Sequence, residues 1–184
     1  MPGEFAPHER TVICWPSRHD LYGNHIGDAR LAHAALAKTI SGFEPVTMIA
    51  NAQDAARARL LCGDAVEVVE LPLDDSWFRD TGPIYVFDGD KRIAGNWVFN
   101  GWGSAQSAGF DVENDARVAT FMANHVAAKL INSELVNEGG GIHTNGSGLL
   151  LATETVQLGI ERNPDWTRLE VEAELNSKLG TEKV

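Results

Sequence analysis

Apolar positions along the chain switch repeatedly between a period of two and a helical period, and turn residues fall at most of the switches. Val12 to Trp15 is a short apolar run ended by Pro16, which reads as a strand. Asp28 is placed to cap a helix through Leu31, Ala35, Leu36 and Ile40, closed by Gly42. Pro45 leads into a second strand, VTMIA. Asn51 is placed to cap a second helix, AQDAARARLLC, which Gly63 ends. Val66 to Leu71 alternates as a strand does. PIYVF and RIAGNWVF follow as two strands joined by Asp88-Gly89-Asp90, a hairpin signal. Asp115 opens a long helix with Val118, Phe121, Met122, Val126 and Leu130 on one face. ELVNE, GIHT and GLLLAT read as strands, the last two joined by a tight turn at Asn145-Gly146. Asp165 starts a final helix bearing Leu169, Val171, Ala173 and Leu175, with Gly180 at its end. Strands and helices alternate, with a recurring hairpin–helix–strand unit and no linker. The pattern predicts an α/β class with mixed sheets.

The chain has 184 residues, enough for one domain with a sizeable core. With 43% hydrophobic and 22% charged residues it is an ordinary globular sequence. Its net charge of -11 and pI of about 4.9 leave no basic footprint for nucleic acid or an anionic membrane. The acidity either favours a small cationic partner or only keeps the protein soluble. Cys14 and Cys62 are too far apart in sequence for a disulfide framework or a metal motif. MPGEFAPHER has no signal-peptide pattern, and no apolar run is long enough to span a bilayer, so the expected location is cytoplasmic. After Gly180 the chain reads TEKV, where Glu182-Lys183-Val184 resembles the first residues of another strand. That ending reads as a truncation, the alternative being a natural end with a frayed tail.

Three stretches hold candidate chemistry. In LDDSWFRDTGP (73–83), three carboxylates, an arginine and a tryptophan crowd a loop at a strand end. A carboxylate grips a guanidinium through two parallel hydrogen bonds, and an indole face attracts the same flat cation. Asp80 with Trp77 is therefore a plausible guanidinium seat, unless Arg79 is answered internally by Asp74 or Asp75. In NWVFNGWG (96–103), Phe99 is expected in the core, while Trp102 either walls a pocket or fills the core. In EGGGIHTNG (138–146), His143 is either a general acid and base near neutral pH or simply a hydrogen-bonded hairpin residue. Glu138 is placed to orient it. One histidine and one acid at this spacing match no strong zinc pattern.

HERTVICWP, DDSWFRDTGP, NWVFNGWG, EGGGIHTNG and TE followed by ERNP together resemble the agmatine deiminase and bacterial (Porphyromonas-type) peptidylarginine deiminase family. The motifs run in that family's order over nearly the whole chain. The resemblance implies a pentein-type α/β propeller of ββαβ repeats, incomplete here, with residues 1–184 as the N-terminal portion of one such domain. It implies a hydrolase of guanidinium C–N bonds that uses no metal and no organic cofactor. A cysteine thiolate attacks the guanidinium carbon, a histidine moves protons, ammonia leaves, and water releases the amidino-cysteine. Agmatine would become N-carbamoylputrescine, a step towards putrescine and the polyamines. The alternatives are a peptidylarginine deiminase or a non-catalytic guanidinium-binding or assembly module. By resemblance Asp80 is the guanidinium-binding aspartate, His143 the catalytic histidine, Trp77 a channel wall and Glu138 the acid of the EGG motif.

Two departures stand out. Where the family has H-x-D, this chain has His143-Thr144-Asn145, so a second carboxylate hand becomes a neutral amide, unless Asn145-Gly146 serves a type I′ turn. The family's nucleophilic cysteine lies in a glycine-rich motif beyond residue 184, and neither Cys14 nor Cys62 follows it. The chain therefore reads as roughly half of such an enzyme, expected to be inactive alone and to self-associate or to need its remainder.

Overall fold

A computed structural model describes residues 1–104 and 108–184. The described residues fall into two compact units, Pro7–Phe78 and Met1–Ala6 with Arg79–Val184.

In the first unit, β1 (Thr11–Cys14), β2 (Val46–Ala50) and β3 (Val66–Glu70) form a parallel sheet in that order. Helices α1 (Ile26–Ile40) and α2 (Ala52–Cys62) make the crossovers. Trp15, Met48, Ala50, Cys62 and Val66 pack with Ala34, Ala37 and Ala58, whose small side chains let helix and sheet come close.

Two details depart from the apolar pattern. Asp28 lies inside the first turn of α1, and the buried stripe is Arg30, Ala34 and Ala37, leaving Leu31 and Leu36 about half exposed. Arg30 decides this rotation: it pairs with Asp54 at 2.8 Å, donates to the Pro16 carbonyl at 3.0 Å and lies 5.9 Å from the Trp15 ring centroid. Asn51 stands at the N-cap of α2 but does not cap it through its side chain. Its amide instead accepts from Leu73 N–H and donates to the Leu73 carbonyl, at 2.8 and 3.0 Å, pinning the loop after β3.

In the second unit, β4 (Ile84–Asp88) and β5 (Lys91–Val98) form the expected hairpin with Gly89 at φ 58°, and β6 (Lys129–Val136) adds parallel to β5. Helix α3 (Val118–His125) is shorter than the pattern predicts, and Leu130 lies in β6. Ala127 at φ 51° stops the helix, with Ala128 N–H reaching back to the Ala123 carbonyl. Strands β7 (Ile142–Thr144) and β8 (Leu150–Ala152) pair antiparallel. Helix α4 (Arg168–Leu179) follows, one turn later than Asp165 and capped by Thr167 with Glu170. Its buried stripe is Val171, Leu175 and Leu179; Leu169 and Ala173 face out. Lys183 then bridges parallel to Leu149, so hairpin, helix and parallel strand recur. Ile84, Val86, Trp97, Leu135, Ile142 and Leu150 complete this core.

Candidate active site

Asp80 sits in a single helical turn, Phe78–Thr81, immediately before β4. Its two carboxylate oxygens are held separately. Oδ1 accepts the Gly140 N–H at 2.8 Å, and Oδ2 accepts the Trp102 indole N–H at 3.0 Å. A carboxylate has about four acceptor positions. By that count each oxygen keeps acceptor capacity for another donor, and a carboxylate with one such position on each oxygen suits one edge of a guanidinium.

The glycines of the EGGG run are explained by what they touch. A Cβ on Gly139 would lie 2.2 Å from the Arg79 carbonyl oxygen, and one on Gly140 would lie 2.7 Å from Asp80 Oδ1. One on Gly141 would meet Val156 at 2.8 Å. The run is bare so that its backbone can press against the Arg79–Asp80 segment and present an amide to the acid.

Glu138 is 4% exposed and belongs to an ion pair. Arg162 grips it with Nε at 2.9 Å and a terminal nitrogen at 2.5 Å from the same oxygen, Nε also reaching the other at 3.3 Å. The next residue, Asn163, donates to the Val136 carbonyl at 2.8 Å and accepts its N–H at 2.9 Å. The turn 159–163 thus clamps the end of β6 and the start of the EGGG run. Spacing in the sequence does not mark Arg162 and Asn163 as site residues; the ERNP motif is the signal that holds them.

His143 lies on β7 with its side chain exposed, between buried Ile142 and Thr144. It follows by three residues the amide that holds Asp80, which limits the backbone separation from Gly140 to about 10 Å. Asn145 is spent locally: its Oδ1 accepts from both the backbone N–H and the hydroxyl of Ser147, at 2.9 and 2.8 Å. It is not at positive φ, so the expected type I′ turn is replaced by a 145–149 loop in which Gly146 and Gly148 take the positive φ values. Arg79 pairs with Glu4. Trp77 is 39% exposed and belongs to the Pro7–Phe78 unit. Phe99 is buried, as expected, and meets the Trp102 ring edge-on at 5.2 Å. Among the described residues no group of three His, Cys, Asp or Glu is arranged to hold a metal ion.

The whole chain, residues 1–184, matches the profile of the Porphyromonas-type peptidyl-arginine deiminases. The chain belongs to that family. A Streptomyces coelicolor protein provisionally named an agmatine deiminase is 49% identical, the match covering 98% of this chain and 54% of that protein. Agmatine deiminase of Pseudomonas aeruginosa is 40% identical over 100% of this chain and 51% of its own. The solved agmatine deiminase of Enterococcus faecalis superposes with a TM-score of 0.95 at 31% identity, covering 100% of this chain and 51% of that one. The α/β fold is therefore that of the solved agmatine deiminases, and this deiminase-family chain spans about half the length of the relatives it matches.

The two cysteines of this deiminase-family chain are buried, at 0% and 1% exposure for Cys14 and Cys62. Burial also pushes the Cys62 thiol up, away from the thiolate form a nucleophile needs.

Proposed function

We propose that residues 1–184 carry the guanidinium-holding part of a pentein-type agmatine deiminase domain, which hydrolyses agmatine to N-carbamoylputrescine and ammonia in cytoplasmic polyamine formation. The observation that carries this is the Asp80 carboxylate, fixed by one N–H donor on each oxygen and still able to accept a pair of guanidinium N–H groups. The names of the relatives supply the substrate class, and the net charge of -11 favours a dication over a zwitterion. The nucleophile in this reading is a cysteine outside residues 1–184, because the two inside are buried. The reading rests on Asp80 and not on His143, whose exposed ring has no side-chain hydrogen bond among those described that would fix its tautomer.

Calorimetric titration of the chain with agmatine tests this. Binding that is lost in Asp80→Ala supports it, and heat that is the same in both proteins overturns it. The second reading, a guanidinium binder without turnover, is favoured by the same buried cysteines. An ammonia assay on the full-length gene product separates the two.

A further inference from the structure

We infer that Trp102 is a positioning residue that fixes the plane of the Asp80 carboxylate for a guanidinium, and not a wall of the pocket. This deepens the proposed function and rests on Asp80 holding the cation.

The backbone singles the residue out. Gly101, Trp102 and Gly103 have φ of 68°, 62° and 78°, a left-handed run in which two members are glycine and the third carries the largest of all side chains. Among the described residues only Trp102 and Ala127 are non-glycine residues with positive φ. Such a conformation is unfavourable for a bulky residue and persists only where its surroundings impose it. Here they do. Gly103 N–H donates to Asn100 Oδ1 at 2.8 Å, and Asn100 Nδ2 donates to the Glu161 carbonyl at 3.0 Å. A Cβ on Gly103 would lie 2.8 Å from that of Glu161.

The strained turn delivers the indole N–H to Asp80 Oδ2 at 3.0 Å, while the ring contacts Phe99 and Phe110. Packing alone would be met by a phenylalanine; aiming a donor at a carboxylate would not. The Gly140 amide holds the other oxygen. Donors on two different oxygens, arriving from two different loops, fix both the position and the rotation of the carboxylate. Both loops are tied to one short turn. Glu161 anchors the Trp102 loop, and Arg162 anchors the EGGG run through Glu138.

The test is a double-mutant cycle read by calorimetry with agmatine, using wild type, W102F, D80N and W102F/D80N. Phenylalanine keeps an aromatic ring against Phe99 and Phe110 and removes the donor along with the rest of the indole's second ring. The expected result is binding about tenfold weaker in W102F, the effect of losing a hydrogen bond to a charged group. In the D80N background W102F should cost nothing further. Equal binding by W102F and wild type, or an undiminished loss in the D80N background, overturns the inference and leaves the proposed function standing. Wild type that binds no agmatine overturns both. A measurement on wild type and D80N guards against a W102F protein that does not fold: the Trp102 indole N–H resonance should move in D80N, and a resonance that stays in place overturns the inference.

Discussion

Gly139 and Gly140 are adjacent and identical in sequence, yet they face different obstacles. A methyl group on Gly139 would meet the Arg79 backbone carbonyl, which cannot move without the chain. A methyl on Gly140 would meet a side-chain oxygen of Asp80, which can swing. Gly139→Ala is therefore expected to destabilise the protein by about 2 kcal/mol or more in urea unfolding, through overpacking. Gly140→Ala should cost much less stability but remove most of the agmatine affinity, because the carboxylate is displaced and loses an amide. Unfolding and calorimetry on the same two samples check the contrast; equal stability losses would contradict it. The sequence showed that glycines were needed here. It did not show which glycine served the fold and which served the acid, because that depends on a segment about 60 residues away.

The Glu138–Arg162 pair joins the start of the EGGG run to the turn before α4. Both side chains are largely buried, so the removal of one leaves a charge without water or a partner. Arg162→Met is expected to cost about 3–5 kcal/mol, and Glu138→Leu combined with it should recover most of that loss. A double substitution as unstable as the single one would contradict the assignment. Helix α4 gives a second measurement. Thr167→Ala removes the cap and should cost about 1 kcal/mol. The Thr167 hydroxyl, then its backbone N–H, hold the Glu170 carboxyl below its ordinary 4.5. A carboxyl lowered in the folded state adds stability above its ordinary value and loses it as the pH falls through the lowered one. Glu170→Gln should therefore flatten the acid limb of the stability curve below about pH 4.5, measured by thermal melts across pH. Existence and order of elements were legible because strand alternation and helical periodicity are local. Helix rotation was not: Arg30 turned α1 away from its leucines, and Ala127 ended α3 before Leu130.

For the whole chain, the buried cysteines lead to a sharp expectation. Residues 1–184 alone should bind agmatine and release no ammonia, and Cys14→Ser or Cys62→Ser should leave that result unchanged. Turnover abolished by either substitution would overturn the placement of the nucleophile outside these residues. Phe43, Leu60, Ile160 and Leu169 are each more than three-quarters exposed. We expect them to drive association, read as a light-scattering mass above 20.0 kDa. A clean monomer would contradict this.

The sequence by itself determined the α/β alternation, the hairpin that recurs before each of the later helices, the candidacy of Asp80 and the family resemblance. All of these are written in short-range periodicity, turn residues and contiguous motifs. Only the tertiary structure decided that Gly140 and Trp102 hold Asp80 from two sides, that Glu138 answers Arg162, and that Asn145 serves its own turn. Hydrogen bonds between segments 20 to 60 residues apart leave no periodic trace in a chain. They exist only once the packed backbone brings donor and acceptor within 3 Å or so of each other.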